Sequence, residues 1–418
     1  MIAKPTRIAL AAIVATSALL LAGCSASADA SSANDSPIQI WVPYPETFQA
    51  GIQEAADACT AAGTPVEVTA FDITYGELDL KVQAEAQAGN TPDLVVEGLN
   101  SLIPLGTNDF VDDMTTLADG DDVVNSDVMP ALAAGQLDDK LLIVPWGISV
   151  PAIFVNTDLF TKAGIDPESL TDWAAVKDAA TKISALGGDT YGISFPQQEG
   201  WLPLQYLLTA GTELVDSDNK SVFNDKAGDT AIQYFNDLYT SGAAFPGDET
   251  ASTEAFASGE VGMFVGSSGY IGSYKEAPFG WTTVKFPPVK AGGEVRTGAG
   301  GAGIAMFATP ERQAAAWEAL KCTMDPAILA KYAVQAAGYM PVRSDMESAM
   351  PAGHLDTAPY AAPWEQFGLA GPWLNFPGAN GPRALESFNK AWLDAARQSG
   401  DPTAVMDAAA EEIDGLLK

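Results

Sequence analysis

The sequence predicts an α/β protein of two domains. Three observations carry that reading. The chain has 418 residues, 47% of them hydrophobic, which is enough for two ordinary cores. A strand–helix–strand–helix–strand alternation lies near its start, and an apolar strand entered through a proline reads as a crossing between domains. Acidic side chains number 54 against 21 basic ones, for a formal net charge of −33. With only 18% charged residues the chain is too apolar to be a disordered acidic tail. Its charge repels nucleic-acid backbones and anionic lipid surfaces, so neither is expected as an electrostatic partner. The single histidine, His354, argues against histidine-ligated metals and histidine-based hydrolytic triads.

Residues 1–24 read as a secretory leader: Lys4 and Arg7, an apolar run from Ile8 to Ala22, then Leu21-Ala22-Gly23-Cys24. Those four residues match a bacterial lipobox, at which Cys24 is diacylated and becomes the mature N-terminus. Two acyl chains suffice for lasting attachment to a membrane. Residues 25–37, rich in Ser, Ala and Asp, read as a flexible tether. No later segment approaches the roughly 20 apolar residues of a membrane span.

Ile38–Val42, Val66–Phe71 and Asp93–Glu97 read as strands, with helical stretches between them, the second around Gly76–Ala88. This βαβαβ order implies a parallel sheet covered on both faces. After Leu141–Pro145 comes the crossing, Ser149-Val150-Pro151-Ala152-Ile153-Phe154-Val155-Asn156. Thr171 is expected to cap a helix that runs to about Leu186 and stops at Gly187-Gly188. Tyr191–Phe195 and Val261–Val265 read as strands, the latter entering Gly266-Ser267-Ser268-Gly269, whose backbone N–H groups can face a ligand. The run Gly298–Gly303 contains a literal GxGxxG, but a strand, Ile304–Phe307, follows it. Dinucleotide binding needs a helix N-terminus there, so the run reads as a hinge or a strand that a ligand approaches closely. Thr309-Pro310-Glu311 is expected to open the next helix as cap, first-turn proline and first-turn acid.

Cys59 and Cys322 each sit on a core-facing helical stripe. Two readings stand side by side: a disulfide, permitted outside the cytoplasm, or two separate buried thiols. Catalytic signatures are sparse. Asp112-Asp113, Asp121-Asp122 and Asp138-Asp139 read as solvated pairs. Asp216-Ser217-Asp218-Asn219 lacks the glycine and closing glutamate of a calcium loop, and Ser387-Phe388-Asn389-Lys390 spells SxxK without companion motifs. Neither a metal nor a cofactor is implied. A carboxylate-pair glycosidase leaves no local signature and stays open as an alternative, as does a surface adhesin.

Lipobox, tether, Val155-Asn156-Thr157-Asp158-Leu159-Phe160, Ala163-Gly164-Ile165-Asp166-Pro167, Trp173 and Gly338-Tyr339-Met340-Pro341-Val342 together resemble the family 1 extracellular solute-binding proteins of ABC importers. The resemblance implies two α/β lobes of the maltose-binding-protein type joined by three crossings. Lobe one would be 37–150 plus 303–342, and lobe two 154–299 plus 343–418. Among glycerol-3-phosphate-binding members, the similar positions imply a ligand set of Tyr75, Glu97, Ser149, Trp201, Ser268 (or Ser267), Gly301 (or Gly300), Tyr339 and Arg383. Arg383 would fork onto a phosphate, Glu97 would accept from polyol hydroxyls, and Trp201 would face C–H groups.

The function implied is a non-enzymatic, lipid-anchored, monomeric capture protein outside the cytoplasmic membrane. It would hand glycerol-3-phosphate or a glycerophosphodiester to ABC permease subunits. A neutral mono- or oligosaccharide is the alternative ligand, which the acidic charge suits at least as well.

Overall fold

The computed structural model describes residues 36–43, 46–73, 75–107, 111–125, 129–196, 200–371, 373–378 and 380–418. At 46, 47, 75, 76, 103, 104, 107 and 130 it describes the backbone alone. The leader, Cys24 and the tether as far as residue 35 lie outside the described residues. Among the described residues no helix is long and apolar enough to cross a membrane.

Thirteen strands are labelled in chain order: β1 (Ile38–Val42), β2 (Val66–Ala70), β3 (Leu94–Gly98), β4 (Gln136–Leu137), β5 (Lys140–Leu141), β6 (Ile143–Ser149), β7 (Pro151–Asn156), β8 (Tyr191–Ser194), β9 (Val261–Ser267), β10 (Trp281–Lys285), β11 (Thr297–Gly298), β12 (Gly300–Met306) and β13 (Ala370–Gly371). They form a two-lobed α/β fold. The first sheet has the order β2-β1-β3-β12-β6 and the second β10-β7-β9-β8; β4 with β5 and β11 with β13 make two short ribbons.

In the first sheet β1 pairs parallel with β2 and β3, as the βαβαβ pattern requires, because helices Glu46–Ala61 and Tyr75–Ala88 carry the chain back over the sheet. β3 is central and buried along its whole length, whereas edge strand β2 is half-exposed. β12 then enters antiparallel to both β3 and β6. Its glycines permit this insertion. A Cβ added at Gly303 would lie 2.4 Å from the Val144 carbonyl, and one at Gly301, where φ is +125°, would lie 2.1 Å from that of Gly147. The ladder also shifts register between Ala302 and Gly303. The strand expected at Ile304–Phe307 thus begins four residues earlier, with most of the glycine run inside it.

The second sheet separates two packing faces. Along β7, Ala152 and Phe154 belong to the core that includes the first sheet, while Ile153 and Val155 belong to the second core. That division is the two-residue period of a strand buried on both sides. The Ser149–Asn156 run is therefore two strands, β6 ending at Ser149 and β7 starting at Pro151, with Val150 between them.

Helix starts depart from the sequence reading in two places. Trp173–Ser184 is capped by Asp172, whose carboxylate accepts from Ala175 N–H at 2.8 Å, so Thr171 is one residue too early. Thr309-Pro310-Glu311 forms a turn, and the helix runs Gln313–Thr323 without a side-chain cap. The cause lies next to it. Arg312 Nε and Nη2 reach Asp93 at 2.6 and 2.7 Å, and Nη2 also reaches the Pro37 carbonyl at 3.0 Å. Holding Arg312 against β3 keeps Thr309–Arg312 out of the helix. Elsewhere aspartate begins helices repeatedly, at Asp225, Asp248, Asp325 and Asp401, which uses part of the acidic excess to satisfy first-turn N–H groups.

Of the two readings of the cysteines, the structure has the bridge. Cys59 and Cys322 are disulfide-bonded with Cα atoms 5.7 Å apart, joining Glu46–Ala61 to Gln313–Thr323.

Candidate functional site

The segments that pass between the sheets run side by side. Gly300 opens β12 opposite Ser149 at the end of β6. Ser268 N–H donates to the Val150 carbonyl at 2.8 Å and its Oγ receives Val150 N–H at 3.4 Å, which ties the end of β9 to the β6–β7 link. Met340 and Ile148 exchange backbone hydrogen bonds, bringing in the Gly338–Val342 turn. Four crossing or near-crossing segments therefore meet along one line.

Side chains converge there because glycines leave room. A Cβ added at Gly300 would lie 2.5 Å from Trp201 Nε1 and 2.7 Å from Ser149 Oγ. One at Gly269 would meet Tyr339 Cζ at 3.0 Å and Ser267 Oγ at 3.2 Å, and one at Gly147 would meet Tyr339 Cβ at 3.1 Å. Gly338 has φ +91° and a would-be Cβ 2.6 Å from the Ser268 carbonyl, so no side chain fits between the turn and β9. Ser149, Trp201, Ser268, Gly301 and Tyr339 thus belong to one neighbourhood. Tyr339 packs edge-on against Phe48, with ring centroids 4.9 Å apart. It is half-buried, yet surrounding protein pushes its hydroxyl up to about 12. A side chain that keeps solvent access within dense protein is what a cleft wall presents.

The remaining expected residues stand apart from this cluster. Glu97 lies on β3 opposite Gly303 of β12, three residues along the strand from Gly300. Arg383 is exposed near the start of helix Gly381–Arg397, with no hydrogen bond or ion pair among the described residues. Leu385 and Asn389 of the same helix lie 3.3 and 3.7 Å from a Cβ added at Gly200, the residue before Trp201. Tyr75 begins helix Tyr75–Ala88, and its side chain lies outside the described residues.

Polar groups without partners accumulate around these positions. Trp201 Nε1 and Trp146 Nε1 are buried and make no hydrogen bond among the described residues. Both Glu97 oxygens lack a hydrogen-bond donor among the described residues, and the residue is 0% exposed. Asp79, one helical turn after Tyr75, stands beside it. Ser101 Oγ donates to Asp79 Oδ2 at 2.9 Å, leaving Asp79 Oδ1 unpartnered. Burial first, then the field of Asp79, holds the Glu97 carboxyl well above the usual carboxylate range, and burial raises Asp79 as well. Sequence reasoning missed Asp79 and Ser101. The one available signal was an acid directly after core-facing Leu78, at the spacing that repeats the face of Tyr75.

Two described cavities lie elsewhere. One of about 510 Å³ lies between helices Trp173–Ser184 and Lys226–Thr240, and one of about 180 Å³ lies around His354. None of the expected ligand residues lines either. No cluster of metal-ligating side chains occurs among the described residues.

Two lobes joined by crossing strands, with serine, tyrosine and an indole N–H that has no described partner at the junction, define a ligand-capture protein. The chain belongs to the bacterial extracellular solute-binding proteins, whose family model matches residues 54–363, and so works outside the cytoplasm with ABC importers. It is 27% identical over 421 residues to a binding protein of Brucella abortus, covering 96% of this chain and 98% of that one. The sn-glycerol-3-phosphate-binding periplasmic protein UgpB of the same organism is 28% identical over 194 residues, 44% of this chain and 45% of UgpB. The solved structure of UgpB from Mycobacterium tuberculosis in complex with glycerophosphocholine superposes with a TM-score of 0.80 at 18% identity, over 91% of this chain and 98% of that one.

Proposed function

We propose that this protein is the lipid-anchored receptor of an ABC importer that captures a glycerophosphodiester or glycerol-3-phosphate between its lobes and releases it, unaltered, to permease subunits. The observation that carries the reading is the meeting of Ser149, Trp201, Ser268, Gly300 and Tyr339 where the segments linking the sheets run together. A guest held there touches both lobes. It favours the closed form through contacts that the open form lacks, which is how binding becomes a signal to a permease.

Within this reading the hydroxyls of Ser149, Ser268 and Tyr339 and the N–H of Gly301 donate to phosphate or glyceryl oxygens, and the Trp201 face covers C–H groups. Arg383, exposed and unpaired, supplies the fork for phosphate as the lobes close. Tyr75 and Glu97 form the glyceryl end. Cys24 carries the anchor, and the lobes are 37–150 plus 303–342 and 154–299 plus 343–418. The receptor acts as a monomer.

A zwitterionic glycerophosphodiester suits a chain of net charge −33 better than a free phosphate monoester does. The same charge favours a second reading, a neutral mono- or oligosaccharide. A hydrolytic role has less support. Asp79 and Glu97 are in direct contact, whereas glycosidases hold their two carboxyls about 5–9.5 Å apart.

The test is calorimetry and thermal shift with glycerophosphocholine, sn-glycerol-3-phosphate, maltose and glucose. A true ligand at a hundred times its dissociation constant adds about 2.7 kcal/mol of stability. Binding of glycerophosphocholine supports the lead. Binding of a sugar alone replaces it with the second reading, and turnover of a chromogenic glycoside would overturn both.

A further inference from the structure

We infer that Asp79 is a positioning residue for the ligand site: it and Glu97 hold one proton between them, so that this wall carries one negative charge instead of two. Asp79 Oδ1 and the two Glu97 oxygens are three buried acceptor atoms with no donor among the described residues, and the one described donor to the pair is Ser101 Oγ, on Asp79 Oδ2. An ionised carboxylate only accepts. Two carboxylates in contact therefore have nothing to exchange unless a proton lies between them, and leaving both ionised would strand two like charges in protein.

Among the described residues no cation compensates from a neighbouring element. On the helix carrying Asp79, Glu77 is exposed, and Lys81 turns outward over the Trp41 and Phe71 rings and pairs with Glu85. Just before β3 the other acid, Asp93, is taken by Arg312 at the far end of the strand. On one side of Glu97, β12 presents Gly303; on the other, β1 ends its pairing with Trp41 opposite Val95, two residues short of Glu97. Ser101 follows β3, and Tyr75, described by its backbone alone, opens the helix. The proton is accordingly shared within the pair and leaves only to water, when pH rises.

One Glu97 oxygen is occupied by Asp79 and the other is left to accept a hydroxyl. This consequence rests on the proposed reading of Glu97 as a ligand contact. It fits a phosphodiester bearing a free diol: the diol meets a neutral acceptor, and the phosphate does not confront a doubly charged wall. Affinity for such an anion is then linked to the shared proton and declines as that proton is lost.

Difference infrared spectroscopy on the whole protein tests the proton without any ligand. From about pH 7 to pH 10 exposed carboxyls are already ionised, so a protonated-carboxyl carbonyl band that disappears on raising pH reports the pair. Wild type should show the band. Glu97→Gln should lose it, because an amide now donates to Asp79. Asp79→Asn should move its midpoint down, and Ser101→Ala should move it up. No band in wild type, a band retained in Glu97→Gln, or an unmoved midpoint in Asp79→Asn overturns the inference.

Titration with glycerophosphocholine adds the linkage. Affinity should fall by up to about tenfold per pH unit above the wild-type midpoint, and the fall should shift with Asp79→Asn. A pH-independent affinity overturns the linkage. If neither glycerophosphocholine nor sn-glycerol-3-phosphate binds, the ligand reading fails and the infrared result alone decides the shared proton.

Discussion

Trp201 and Gly300 lie so close that a single methyl group would have to displace one of them: a Cβ on Gly300 falls 2.5 Å from the indole nitrogen. Gly300 opens β12, the strand that runs antiparallel to both its neighbours in the first sheet, and Trp201 opens a helix in the second core. The contact therefore registers how the two sheets are set against each other. Gly300→Ala must push Trp201 or Ser149 aside, an overpacking that costs about 1–3 kcal/mol. Calorimetry should find glycerophosphocholine binding at least about tenfold weaker, since about 1.4 kcal/mol is a factor of ten. An unchanged dissociation constant would remove Trp201 from the site.

Arg383 separates affinity from stability. Being exposed and without a partner among the described residues, it holds none of them in place, so Arg383→Ala should change the unfolding free energy by less than about 0.5 kcal/mol. Loss of a charge-assisted bond should cost a phosphate ligand about 2 kcal/mol or more while sparing a neutral sugar. Equal losses for both ligand types would argue against a phosphate contact.

Glu97 gives stability a pH dependence of definite sign. Its folded value stands well above the ordinary 4.5, so the folded chain keeps a proton that the unfolded chain releases. The group's stabilisation is full below about 4.5 and is lost as pH rises through the folded value. Glu97→Gln lacks this loss. Relative to wild type, its denaturation midpoint should improve steadily as pH rises from about 5 toward the folded value, and a difference that stays flat would contradict the assignment.

The Arg312–Asp93 pair is bidentate and nearly buried, with side chains 11% and 7% exposed. Arg312→Ala strands Asp93 and should lower the unfolding free energy by about 3 kcal/mol. Adding Asp93→Asn should recover part of that loss, and the two changes should not add. Urea titrations of the single and double variants measure it.

The Cys59–Cys322 bridge spans a sequence separation of 263. By the loop-entropy account, removing such a bridge costs on the order of 5 kcal/mol. Replacing both cysteines with serine should lower the thermal midpoint. The helices it joins both pack with the first sheet's core, so the ligand's dissociation constant should stay within about twofold.

Much of the framework was readable from residue periodicity. Ile38–Val42, Val66–Ala70 and the helix Tyr75–Ala88 follow local pattern, because each element buries its own stripe. Strand ends were less legible: β12 starts at Gly300 because close backbone approach excludes side chains, which apolar runs do not report. Helix starts failed where tertiary contacts decided them, as when Asp93 holds Arg312. The meeting of Ser149, Trp201, Ser268 and Tyr339 depends on chain crossings that no local spacing encodes, and family resemblance alone brought those residues together. Asp79 escaped because an acid on a helix, one turn after Tyr75, looks like a solvated face until the strand beneath it is known.

The place of β12 in the first sheet has a temporal consequence. It lies between β3 and β6, strands that precede it by some 150 to 200 residues. A chain synthesised from its amino end offers β3 and β6 early, with a vacant slot between them that nothing fills until Met306 has been made. Cys59 likewise waits for Cys322. The amino-terminal half of the nascent polypeptide is thus unable to finish folding by itself, and whatever accompanies it must keep two strand edges apart until the third arrives.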